Sequence, residues 1–111
     1  MSKSTFFALK RGVSGFGFFK VEGSLCVIGG HKFGVYQNWI TENAQKRKIW
    51  YVVELESGIS IGSAETKNGA IIAAKRNYEG IHPSLFAKKL TDAIHRYGRS
   101  PLYQEGLDLN A

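Results

Sequence analysis

The chain is poor in the residues that build covalent or metal-bound frameworks. One cysteine, Cys26, stands in 111 residues. It cannot form an intramolecular disulfide, and a cysteine-rich zinc site needs several such ligands. There are two prolines against thirteen glycines. That ratio excludes stiff proline-rich linkers and predicts tight turns and bulges. No hydrophobic run approaches a membrane span, and Thr5–Leu9, followed at once by Lys10 and Arg11, is too short for a signal core. A reducing cytoplasm is the expected compartment, with no membrane partner and no cofactor. Acidic residues are also scarce: nine Asp and Glu stand against fifteen Lys and Arg, a net charge of +6. The excess favours a polyanionic partner, although solubility alone would also account for it.

Apolar residues make up 43% of the chain, which is ordinary for a globular protein and too many for a disordered one. The length fits a single domain, residues 1–111, with one modest core. Thr5–Arg11 and Gly15–Glu22 read as strands joined around Gly12 and Gly15. Gly23-Ser24 predicts another turn, and the apolar run Leu25–Ile28 a short buried strand. Gly29-Gly30 ends it, and Phe33–Gln37 predicts a fourth strand. Trp39–Lys48 turns polar and charged after its first two residues and reads as an exposed loop.

The clearest pattern follows that loop. Ile49, Tyr51, Val53 and Leu55 alternate with Trp50, Val52, Glu54 and Glu56, so the two sets line opposite strand faces. Ser57-Gly58 supplies a hairpin turn, and Ile59 and Ile61 alternate on the return strand. Thr66 can cap a helix whose apolar stripe is Ala70, Ile71, Ala74 and Tyr78. Ile72 falls beside Lys75 and Arg76, where a second helix is expected to meet it. Pro83 and Gly98 bracket that second helix. Its stripe is Phe86, Leu90, Ala93, Ile94 and Tyr97, and Lys88, Asp92 and Arg96 share the polar side at a spacing that favours ion pairs. Residues 99–111 predict an irregular tail, pinned by Leu102 and Tyr103. Strands followed by helices predict an α+β fold: an antiparallel sheet of about five or six strands with two helices packed on one face.

Catalytic chemistry has little to stand on. His82 precedes a proline, His95 lies on a polar helix face, and neither has a histidine partner at helical spacing. Cys26 and His31 could form a thiol–imidazole pair, but a cysteine inside an apolar run is more often inert. Glu54 and Glu56 share a strand face beside a turn, where solvated carboxylates are ordinary. The glycines around Gly15 and Gly17 lack the lysine and helix of a phosphate loop. No catalytic residue and no metal ligand is assigned, and a binding module is expected rather than an enzyme.

Two segments carry a binding signal. Ser14-Gly15-Phe16-Gly17-Phe18-Phe19 resembles the G-F-G-F core of the aromatic motif in cold-shock domains, whose rings stack on unpaired bases. Ser14 stands where that motif carries lysine, and the second aromatic motif is missing near Leu25–His31. The plainer reading makes Phe16 and Phe18 core residues with glycines serving a hairpin or bulge. Gln45-Lys46-Arg47-Lys48 is a compact basic stretch between Trp39 and Trp50. Its cations could neutralise phosphates while an indole stacks on a base. Lys75, Arg76, Lys88, Lys89, Arg96 and Arg99 add charge on and after the helices. A solvated loop with two core tryptophans is the plainer alternative.

From Phe33 to Tyr78 the order is strand, strand with tryptophan and V-x-E-L-x-S-G, return strand, then T-K-x-x-A-I opening a helix. It appears here as Trp50–Gly58 and Thr66–Ile71. This is similar to a module of small phage- and plasmid-encoded proteins. Gly69 departs from it, since an acidic residue usually stands there. The order also resembles the DNA-reading domains of tyrosine integrases and plant AP2 factors, which lay a sheet in the major groove. The resemblance implies a small basic binding protein of phage or mobile-element type that engages nucleic acid. Lys46, Arg47, Lys48, Lys75 and Arg76 would contact phosphate, and Trp39 or Trp50 would stack. The alternative it implies is an inhibitor or adaptor that blocks a host nucleoprotein or defence nuclease, like anti-CRISPR or anti-restriction proteins.

Overall fold

The computed structural model describes residues 4–12 and 15–101. The elements run β1 (Ser4–Gly12), β2 (Gly15–Ile28), β3 (His31–Glu42), β4 (Gln45–Glu54), β5 (Ser60–Ala64), α1 (Lys67–Glu79) and α2 (Pro83–Tyr97). The strands pair antiparallel in sequence order, as an open meander. Both helices feed one core on one face of the sheet. The architecture is the expected α+β one.

The turn expected at Gly23-Ser24 does not form. β2 runs through it, pairing with β1 up to Gly23 and with β3 from Ser24 onward. A Cβ on Gly23 would lie 1.9 Å from the Val35 carbonyl oxygen. The glycine is there for a close approach: β2 passes directly across β3. The β1–β2 hairpin thereby folds over the sheet face that the helices leave open. Its Phe6, Ala8, Phe19 and Val21 pack on Tyr36, Tyr51, Val53 and Leu55. The result is three layers (hairpin, sheet, helices) with a core in each gap.

The helix-side core joins Ile28, Phe33, Val35 and Val52 to Ala70, Ala74 and Phe86. Fully burying a phenylalanine such as Phe6 or Phe33 stabilises the fold by about 2 to 3 kcal/mol. Leu25–Ile28 was expected to be buried, but it forms the far half of β2. Ile28 is buried there, whereas Leu25 and Val27 are 45% and 66% exposed. Strand alternation gives that half only one covered face.

The caps stand as expected. The Thr66 hydroxyl accepts from the Gly69 amide at 3.0 Å, Pro83 opens α2, and Gly98 follows it with φ +85°. The Ser57-Gly58 turn also forms, with Gly58 at φ +76°, and its carbonyl accepts from the Leu9 amide at 2.9 Å. Ile72 stays 52% exposed. The second helix does not cover it, because α2 docks at the end of α1, with the Phe86 ring 5.1 Å from Tyr78 and 4.9 Å from His31. Lys88, Asp92 and Arg96 are exposed, and no ion pair links them.

Glu54 is buried rather than solvated: it pairs opposite Phe33 of the helix-side core, and its carboxylate turns into the Glu56–Ser57 turn. Past α2, Arg99 pairs with Glu56 at 3.1 Å and the Ser100 amide donates to the Glu56 carbonyl at 2.8 Å. Leu102 and Tyr103 lie outside the described residues. No described helix is long and apolar enough to cross a membrane.

Candidate nucleic-acid interface

Trp39–Lys48 is not a loop. It is the outer end of a β3–β4 hairpin whose pairing continues to Glu42↔Gln45, closed by Asn43 and Ala44 at φ +52° and +63°. Two consecutive left-handed residues give the tight turn that suits strand twist. The stretch looked like a loop because it projects beyond both cores, so its polar residues show no alternation.

Pairing sorts the basic residues between two faces. Trp39 lies opposite Lys48, Thr41 opposite Lys46, and Gln37 opposite Trp50. Directly opposed residues share a face, and this one continues from Val35 and Val52 of the helix-side core. α1 begins level with Ala64, which pairs with Trp50, so no helix reaches the outer rungs. Gln37, Trp39, Thr41, Lys46 and Lys48 are all exposed there. The Lys48 ammonium sits 4.9 Å from the Trp39 ring centroid, a cation–π contact that covers one face of the indole. Trp39 remains 57% exposed.

Arg47 points to the other face with Asn38, Ile40 and Ile49, and its guanidinium bonds the Glu65 carboxylate. Trp50 is half-buried against the helix-side core. The two tryptophans therefore differ: one closes the core, and the other lies open.

Lys75 and Arg76 do not join this platform. Ala74 packs on Gly62, which pairs with Val52. Lys75 thus lies four to six strand residues from the level of Lys48 and Lys46, roughly 13 to 20 Å away. Lys75 faces the Cys26–Ile28 side of α1, and Arg76 faces β5 and α2. Lys67 is the helix cation nearer the platform. Its ammonium donates to the Ser24 hydroxyl at 2.9 Å, on the rung of Val35 and Val52 and four residues short of Trp39, so it stays off the platform too. Gln37 and Thr41 stand in no basic or aromatic cluster of the sequence. The period-two register from Gln37 through Trp39 to Thr41 was the available signal.

The remaining candidates have structural surroundings. Cys26 and His31 make no hydrogen bond to each other; burial pushes the thiol pKa up, outweighing the nearby Lys75 and Lys67. The His31 ring packs among Phe33, Tyr78 and Phe86. His82 caps α2 by accepting from the Ser84 amide at 3.2 Å. The Phe18 ring lies against Gly58 of the β4–β5 turn, and the side chain of Phe16 lies outside the described residues. No protein family, curated protein or solved structure matches this chain.

Proposed function

We propose that this protein is a non-enzymatic nucleic-acid-binding module, of the accessory type that mobile elements carry. It would grip an unpaired strand on the open face of the β3–β4 hairpin. One observation carries the reading. Trp39 is 57% exposed on a face whose other exposed residues are Gln37, Thr41, Lys46 and Lys48. An exposed indole beside cations is the arrangement that stacks a base and neutralises its phosphates. Lys48 holds one face of the ring, leaving the other for the base. Lys46 flanks it, and Gln37 and Thr41 can bond base edges or sugar hydroxyls.

The test is a titration of a labelled single-stranded oligonucleotide at low salt, read by anisotropy and by tryptophan emission. Two lysines imply a log–log salt slope of about −1.4. Trp39→Ala is expected to weaken binding roughly tenfold, the worth of one stacked base. Lys75→Glu is expected to change little beyond a weak long-range term. No binding at low salt, or binding indifferent to Trp39, Lys46 and Lys48 together, overturns the proposal. The inhibitor or adaptor reading predicts no affinity for free oligonucleotide.

A further inference from the structure

On the opposite side of α1 a second surface is built differently. A groove of about 460 Å³ lies between the start of β5 and the ends of the two helices. Ile59, Ile61 and Ile81 are half-buried in its walls, and Arg76 and Lys89 stand exposed at its rim. Ile59 and Lys89 also line a second depression of about 350 Å³ that follows α2 as far as Tyr97. From Lys89 to Tyr97 that path is about 12 Å, the length of roughly four residues of extended chain. β5 is the last strand of the sheet; among the described residues it pairs with β4 and no other strand.

Charge selects the occupant. Arg76 and Lys89 make no ion pair among the described residues, and Arg96 extends the positive rim. Asp92 is the one carboxylate lining either depression. Aliphatic walls favour side chains over bases. The Phe86 ring at the floor is buried and turned edge-on into Tyr78 and His31, so it offers no stacking face. An apolar groove beside an edge strand receives an extended peptide with alternate side chains in the groove; the Ile61 carbonyl of β5 already accepts from the Asn77 side chain at 2.7 Å, so here the side chains rather than backbone pairing carry the recognition.

We infer that this groove docks an extended segment of a partner protein in which acidic and aliphatic residues alternate. The aliphatic side chains would lie on Ile59, Ile61 and Ile81, and the carboxylates would meet Arg76, Lys89 and Arg96. This surface is separate from the Trp39 platform, so the two bind independently.

The probe is a fluorescein-labelled peptide of about ten residues alternating glutamate and valine, long enough to span the groove. Anisotropy with the full chain is expected to show saturable binding. The same peptide with lysine for glutamate should not bind. Arg76→Glu with Lys89→Glu is expected to weaken binding at least about tenfold, since like charges then face each other. Lys89→Glu alone, on an exposed helix surface, gives an intermediate loss if the double variant is unstable. The same variants should keep near wild-type affinity for oligonucleotide, and Trp39→Ala should keep peptide affinity. Failure of the oligonucleotide titration leaves this test intact. Absence of peptide binding, indifference to both charge reversals, or displacement of the peptide by oligonucleotide overturns the inference. So does a homodimer that the charge reversals dissolve.

Discussion

At the scale of single residues, the most consequential side chain outside the platform is Glu54. Its carboxylate accepts from the Glu56 amide at 2.9 Å and the Ser57 amide at 2.8 Å, inside a turn that is itself buried. Removing the acceptor strands two backbone donors, and an unmet buried donor costs about 1 to 3 kcal/mol. Glu54→Ala is therefore expected to lower the unfolding free energy by about 2 to 4 kcal/mol. Glu54→Gln keeps one accepting oxygen and should lose about half as much. Urea denaturation measures both, as a fall in midpoint at unchanged slope; a midpoint within error of wild type for the alanine variant would dismiss the account. Thr66, Pro83, Gly98 and Ser57-Gly58 were legible because a cap or turn depends on neighbours in sequence. Glu54 was not, because its burial comes from the strand it pairs with, where Phe33 of the helix-side core lies opposite it, some twenty residues earlier in the chain.

Among the elements, the β3–β4 hairpin carries the candidate site and also the strain. Asn43 and Ala44 both adopt left-handed backbone. Asparagine tolerates that region, whereas alanine pays about 1 to 2 kcal/mol for its Cβ there. Ala44→Gly is expected to relieve about 1 kcal/mol net of glycine's greater unfolded freedom, raising the melting temperature by roughly 4 °C. Thermal unfolding by circular dichroism checks the sign, and a lower melting temperature would mean the turn is not left-handed. Because Lys46, Lys48 and Trp39 are set by the strands, oligonucleotide affinity should follow wild type. The same hairpin explains why the site was only half legible. The cations and tryptophans were found as a cluster, but their division between faces needed the register Trp39↔Lys48 and Ile40↔Arg47. A turn without glycine, between strands polar on both sides, leaves no pattern from which to read that register. Lys75 and Arg76 share their charge, but helix geometry sends those two elsewhere.

For the whole molecule, the layered order depends on aromatic rings held between the folded-over hairpin and the sheet. Tyr36 stacks on Tyr51 with centroids 5.4 Å apart, while Phe6 and Phe19 meet its ring edge-on at 6.1 and 5.9 Å. The antiparallel sheet and both helices could be read from alternation and caps. This second core could not, since Gly23 looks like a turn until β3 is seen beneath it. Burial, reinforced by the neighbouring Tyr51 phenol, pushes the Tyr36 pKa up to about 12 from its ordinary 10.0. The folded state therefore favours the neutral phenol. Tyr36 contributes a constant amount to stability below about pH 10, where it is protonated folded or unfolded. Above that the unfolded chain ionises first, so the contribution falls as pH rises through the folded value and levels off beyond it. Lysines titrate in the same range, which makes the informative quantity a difference. Tyr36→Phe keeps the ring contacts and removes the ionisation. The wild type should lose more melting temperature than the variant between about pH 9 and about pH 11.5, with little change in the gap between them below about pH 9. Parallel curves for the two proteins would mean that the phenol ionises as freely in the fold as outside it. The hairpin layer would then admit water to Tyr36, and the second core would be looser than the buried Phe6 and Val53 require.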